Sequence, residues 1–384
     1  MGGIAALRLS FFLAAGWLIG GRGHMRCSVA LLTLALWGVA LSGLCGLPRR
    51  AEVEQGVMLK RVQTFSGFHR GSFSPDGRLL ALVDGAHTDV VEAGSGRTLA
   101  RLKKPNSSFL RARFLPDARS LATVYRVEDG AGRATVRVTF WDALSGREKL
   151  SLPAEDQDWR RVVDLSFSSD GRLLGSNVGG IARLWEVSTG REVRRFVPEG
   201  GPPDQQAERA LLSPDGKWLA AYFISPNERA YKMVRVWDLQ TGRPQEFEAD
   251  LYEDWEFSAD SKLLALTAIT DKGRPDERSV AEIWDASAGR RLQAIEVPRE
   301  WRGAYTVAFA PDSGLLAVGG YKKFGVFSTD TGRLLASETH HGGGFWQDSE
   351  MPNQIERVEF SPDGKLLLTG GNDNTVKLWR VERQ

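Results

Sequence analysis

Short runs in which apolar and polar residues alternate recur from about residue 55 to the end of the chain, as in RLLALV (78–83) and KLLLTG (365–370). A period of two is the mark of half-buried β-strands, because successive side chains leave a strand on opposite faces. Clusters of Gly, Pro and Asp interrupt the runs, and helix-favouring runs are rare. The pattern predicts an all-β body built from many short strands.

The interruptions themselves repeat. FSPDG begins at Phe73, FLPDA at Phe114, FSSDG at Phe167, LSPDG at Leu212, FSADS at Phe257, FAPDS at Phe309 and FSPDG at Phe360. The seven starts are separated by 41, 53, 45, 45, 52 and 51 residues. A second signature trails the first six: VEAGSGR from Val91, WDALSGR from Trp141, WEVSTGR from Trp185, WDLQTGR from Trp237, WDASAGR from Trp284 and FSTDTGR from Phe327. Each unit therefore reads as strand a, the SPDG turn, strand b, a connection, strand c, the TGR turn and strand d. Seven such units predict a seven-bladed β-propeller of four-stranded blades over residues 51–384. The seventh copy stops at Trp379-Arg380, before its second turn, and EQGVMLKRVQTF (54–65) precedes the first copy with the spacing of a turn and outer strand. An N-terminal strand is thus expected to complete the last blade and leave no open edge.

With these signatures in phase, the sequence resembles the WD-repeat β-propeller family, in a degenerate, bacterial-type form. Members often carry a Gly-His before strand a, whose His bonds an Asp in the b–c turn. Asp373 in GGNDNT matches that Asp, but no copy shows a clear Gly-His. The resemblance therefore implies that the buried polar network is missing and that the blades cohere by apolar packing.

The signature residues read as scaffold. In Ser-Pro-Asp-Gly, Pro presets the turn, Asp bonds nearby backbone and Gly takes the left-handed conformation. Ala118, Ser261 and Ser313 replace that glycine in three copies, which points to tolerated strain. One Asp per turn cannot make a calcium loop. The strand-c Trp is a wedge between blades, a matter of volume, since Val91 and Phe327 stand in for it twice.

Charge alters the picture at the N-terminus. Residues 1–50 hold five arginines and no acids, leaving 45 basic and 48 acidic side chains in the rest. A near-neutral body lacks the basic stripe of a nucleic-acid binder. Cys27 and Cys45 are the only cysteines, so the body has no disulfide or thiolate metal site. Residues 27–48 run 22 positions without a charge, between Arg26 and Arg49-Arg50. A cleaved signal peptide starting at Met25, with the small residues of ALSG (40–43) before the cut, and an uncleaved anchor both fit; lipidation at Cys45 is a third fate, although Leu44 stands where a lipobox takes Gly, Ala or Ser, and residues 1–24 read as an over-extended start. Each fate places the propeller outside the cytoplasm, secreted, periplasmic or tethered, with membrane contact through this segment only.

Function is expected on one rim. From the SPDG phenylalanine to strand c the distance is 18, 27, 18, 25, 27, 18 and 19 residues, and from strand c to the next strand a it is 23, 26, 27, 20, 25 and 33. The a–b and c–d turns barely change, so all variation falls on the b–c/d–a face, where a rigid scaffold displays its binding loops. Aromatic and basic residues collect there: His69, Arg70, Trp159, Arg160, Trp255, Trp301, Arg302, Phe345 and Trp346 are the candidate contacts for a protein or peptide partner. Trp255, two positions before Phe257, also has the inward parity of a core residue. His340-His341 reads as a solvated loop rather than a metal site. No nucleophile, phosphate-binding or paired-carboxylate motif is present, and no cofactor is implied. The expected function is a non-catalytic interaction scaffold; the alternative is a hydrolase or lyase acting at the mouth of the central channel.

Overall fold

In the computed structural model, residues Glu54–Gln384 form one unit. The structure describes residues 56–384 apart from 129–133, 153–154, 157–163, 178–179, 198–203, 226, 228–231, 248–250, 271–277 and 341–353. The apolar segment 27–48 lies outside the described residues, and among those no helix is long and apolar enough to cross a membrane.

Seven antiparallel sheets follow one another in sequence order, six with strands a-b-c-d in succession. The strands a, which face the central channel, are Arg70–Phe73, Ser107–Phe114, Leu165–Phe167, Gln206–Leu212, Leu251–Phe257, Thr306–Phe309 and Ile355–Phe360 in blades 1 to 7. Blade 2 gains a two-residue strand, Glu155–Asp156, on its third strand Ala134–Asp142. In blade 7 the outer place is taken by Val57–Ser66, paired antiparallel with Thr375–Arg383, so both termini close the ring as expected.

The turn reading holds in detail. Gly77, Gly171, Gly216 and Gly364 have φ of 71°, 69°, 70° and 70°, and the substitutes Ala118, Ser261 and Ser313 take 53°, 63° and 60°. In the last tetrad Ser361 Oγ donates to Asp363 Oδ1 (2.6 Å), which also accepts from Lys365 N–H (3.1 Å), and Leu366 N–H donates to Ser361 Oγ (2.8 Å). These internal bonds occupy the carboxylate and hold the Asp363 carboxyl below its ordinary range, the Ser361 hydroxyl contributing most.

The strand-c wedge does more than fill volume. Trp141, Trp185 and Trp379 each donate their indole N–H to a hydroxyl on the neighbouring strand b, at Thr123, Ser176 and Thr369, all at 2.8 Å. That hydroxyl sits nine positions after the SPDG phenylalanine. In blades 1 and 6, where Val91 and Phe327 replace Trp, the same position is Leu82 and Val318.

Blade 7 also carries the polar network that the sequence implied was missing. His340 is fully buried and not part of a solvated loop. Its Nδ1 lies 2.7 Å from Thr369 Oγ1 and its Nε2 3.5 Å from Asp373 Oδ1. Because the indole of Trp379 can only donate, Thr369 accepts there and keeps its own proton for Nδ1, which sets the ring proton on Nε2 towards Thr375 Oγ1 (3.3 Å) and, beyond it, Asp373. The His is preceded by Thr339 instead of Gly and stands 29 residues before Thr369, so the dipeptide signature never appears.

Candidate functional site

Side chains two apart on a strand share a face, so counting back from each SPDG phenylalanine defines two rings on the channel wall. Three positions back, blades 1 to 7 present Arg70, Arg111, Asp164, Arg209, Asp254, Thr306 and Arg357. One position back they present Ser72, Arg113, Ser166, Leu211, Glu256, Ala308 and Glu359. All but Thr306 of the outer ring line a cavity of about 290 Å³ at the channel mouth, on the loop-rich side.

The inner ring stitches neighbouring blades. Leu212 N–H donates to Ser166 Oγ (2.7 Å), Phe309 N–H to Glu256 Oε2 (2.9 Å) and Phe73 N–H to Glu359 Oε1 (2.9 Å). In each case the residue before one blade's phenylalanine accepts the amide at the equivalent phenylalanine or leucine of the next blade. In the outer ring Arg209 Nη1 lies between Asp164 Oδ1 (3.4 Å) and Asp254 Oδ1 (3.6 Å). Thr306 Oγ1 donates to the other Asp254 oxygen (2.7 Å). Arg70 pairs with Glu356 (2.9 Å) and Arg357 with Glu359 (2.6 Å).

Enclosure perturbs the acids. Burial pushes Asp164 and Glu253 up, against the pull of Arg209. Burial also raises Glu256 from its ordinary 4.5 to about 7, although Arg357, Arg113 and the Phe309 amide oppose it. A carboxyl whose folded value is raised is most stabilising while protonated, so stability falls as pH rises from about 4.5 through about 7. Glu256→Gln keeps an acceptor for Phe309 and removes the titration. Its melting temperature is therefore expected to gain on wild type between pH 5 and pH 8; a constant difference across that range would refute the assignment.

A second feature lies on the rim of blade 6. Arg302 and Lys322 place their cations 5.3 and 5.5 Å from the ring of Tyr321. Both cations come from residues with left-handed backbone, φ 52° and 65°, an arrangement that costs residues other than glycine energy. Tyr321 N–H donates to Trp301 O (2.7 Å), and Tyr305 Oη donates to Arg302 O (3.0 Å) while Tyr305 lines the cavity. Patch and channel mouth are thus joined through one short segment.

The sequence-derived candidates separate into groups. Arg70 is at the mouth and Arg302 on the rim of blade 6, and His69 is half-buried beside Arg70, its pKa lowered by burial against the opposing charge of Glu356. Trp255 and Trp301 are core residues, 3% and 1% exposed, and neither offers its ring to a partner. Trp255 follows its inward parity, though its edge lines the cavity. Trp301 belongs to a short 3-10 turn, Arg299–Trp301, and fills the space between blades 5 and 6. Trp159, Arg160, Phe345 and Trp346 lie outside the described residues. Tyr321, Lys322 and the arginines of blade 2 were missed, although the count back from each phenylalanine would have found the ring. Among the described residues no group of His, Cys, Asp or Glu is arranged to hold a metal ion.

The family model for the WD domain, G-beta repeat, matches residues 350–380, the seventh copy. The serine-threonine kinase receptor-associated protein of Dictyostelium discoideum is 23% identical over 250 residues, covering 64% of this protein and 74% of that one. The target of rapamycin complex subunit wat1 of Schizosaccharomyces pombe is 24% identical over 252 residues, 64% of this protein and 71% of that one. Protein tipD of D. discoideum is 23% identical over 262 residues, 65% of this protein but 37% of its own length. Seven in-phase four-stranded blades and the match of the seventh copy to the G-beta repeat make this protein similar in fold and repeat to the WD-repeat β-propellers.

Proposed function

We propose that the protein is a non-catalytic interaction scaffold that binds a protein or peptide on the b–c/d–a face. The observation that carries this reading is the joined rim of blade 6 and channel mouth, where the exposed Arg302 and Lys322 flank a half-buried Tyr321 beside a charged concavity. Two of the relatives are named for association with other proteins, a kinase receptor in one case and a multi-subunit complex in the other. Glu256, the inner-ring acid raised to about 7, is outside the cavity lining and is engaged in holding blade 6 to blade 5, which favours a structural role over proton transfer. An extracytoplasmic location, tethered or secreted, completes the reading and is supported by the uncharged run 27–48.

The test is affinity capture with the full-length protein beside an Arg302→Ala/Tyr321→Ala/Lys322→Ala variant. Hot-spot truncation is expected to cut partner recovery roughly tenfold or more with little change in melting temperature. Equal recovery by both proteins would remove the blade 6 rim from the binding face.

A further inference from the structure

Six of the seven seams between blades are filled in one way. The residue six positions after the start of each SPDG signature is apolar in blades 1 and 3 to 7: Leu79, Leu173, Trp218, Leu263, Leu315 and Leu366. Each packs in the cluster that holds the strand-c wedge of the following blade, Leu79 with Trp141, Leu173 with Trp237 and Leu315 with Trp379 among them. Blade 2 instead has Ser120 at that position, and Leu115 where five other blades carry the serine of the tetrad. The exchange preserves the turn, because Asp117 accepts from both the amide and the hydroxyl of Ser120, each at 2.7 Å. It does not preserve the seam. Leu115 joins the cluster of Trp185 in blade 3, but nothing apolar takes the place of the sixth residue. A cavity of about 390 Å³ opens there, with Leu115, Phe140, Leu150 and Val187 beside Ser120 in its lining.

The cavity carries no excess charge. Lys149 and Arg172 stand in its lining against Asp117 and Glu186. Lys149 Nζ donates to Ser120 Oγ (2.7 Å) and lies 3.9 Å from Asp142, which also pairs with Arg119 (3.0 Å). Glu186 lies 3.7 Å from Arg191, and Asp170 is two positions before Arg172. With these neighbours included, four cations face four carboxylates. An ion entering would meet no uncompensated charge, whereas an apolar group would make the contacts that the missing seam residue leaves unmade.

We propose that the cavity between blades 2 and 3 is a docking site for a short uncharged segment of a protein partner, whose apolar side chains take the place of the seam residue that blade 2 lacks. The a–b turn of blade 2 and the c–d turn of blade 3 border it, at Asp117 and at Val187 and Ser188, so it opens on the face opposite the b–c/d–a rim. Its volume is within the range of about 300–1,000 Å³ typical of binding pockets. The site is separate from the blade 6 rim and does not rest on the reading of that rim.

The probe is a positional-scanning library of acetylated hexapeptide amides with an uncharged Ser/Ala/Gln background, presented to the full-length protein. Wild type is expected to select Leu, Ile, Met or Phe at one or two positions. Leu115→Ser/Ser120→Leu returns blade 2 to the pattern of the other blades and fills the cavity from within. It is expected to melt no lower than wild type and to bind the best peptide roughly tenfold more weakly or worse, the worth of one buried apolar side chain. Should that variant not fold, Leu150→Arg blocks the same space. Blade 3 already carries Arg194 at the equivalent position, against Gly242 of blade 4, as Leu150 stands against Gly190. Selection of charged residues, or of none, would overturn the site, as would a folded variant of either kind that binds as tightly as wild type. A wild-type dimer that the Leu115/Ser120 exchange converts to a monomer would place a second copy of the chain in the cavity and overturn the assignment to a separate partner. The Arg302→Ala/Tyr321→Ala/Lys322→Ala variant is expected to select the same peptides as wild type; loss of that selection would show that the two sites are not separate and overturn the proposal.

Discussion

Deleting residues 51–66 is expected to abolish the single cooperative melt of the propeller and to leave a protein that aggregates on warming. The deleted strand Val57–Ser66 makes nine paired positions with Thr375–Arg383, from Val57 opposite Arg383 to Ser66 opposite Thr375, interrupted by one irregularity at Val62. It also buries Leu59 and Phe65, each packed against a different core cluster on either side of the last blade. Two such side chains contribute about 3–6 kcal/mol by burial alone, a large part of the roughly 5–15 kcal/mol that separates most folded domains from their unfolded states. Without the strand, Thr375–Arg383 becomes a bare edge ready to pair with another molecule. Calorimetry and gel filtration read both effects, and supplying the 57–66 peptide in trans should restore part of the melt in a concentration-dependent way. A monomeric truncation with wild-type melting would show that closure does not depend on this strand.

The fold was legible because its signals are local. A tetrad such as Ser361-Pro362-Asp363-Gly364 makes its turn from its own atoms, so seven recurrences could be counted without knowing any long-range contact. Parity along a strand was equally legible and put Trp255 inside. The polar network of blade 7 was hidden for the opposite reason. Its four residues, His340, Thr369, Asp373 and Trp379, are gathered from a connection, a strand, a turn and another strand. No short motif carries such a set once the glycine before the histidine is lost. The channel rings lay between these cases: each member is at a fixed distance from a visible phenylalanine, but only the ring closure makes seven scattered residues one surface.

Trp301→Ala is expected to cost about 3–5 kcal/mol and to lower the melting temperature by roughly 10 °C, while Arg302→Ala changes stability by no more than about 0.5 kcal/mol. The indole packs with Phe309, Phe327, Val318 and Ile295, with its ring 5.9 Å from that of Phe327. Two glycines of blade 6 make its slot. A Cβ at Gly325 would stand 2.6 Å from the Trp301 ring, and one at Gly320 would stand 2.8 Å from its Cβ. A pocket shaped this closely by backbone cannot collapse onto an alanine, so the vacated volume remains as a cavity. The neighbouring Arg302 points out from a left-handed position, where Arg302→Gly should even relieve strain. The contrast explains why strand parity had no purchase on Trp301: it sits in a 3-10 turn, outside any strand, and two adjacent residues of one aromatic–basic pair divide between core and surface. A Trp301→Ala protein that melts like wild type but no longer captures its partner would return the indole to the binding face. Loss of stability, with capture retained below the melt, fixes it as the pillar under the blade 6 rim.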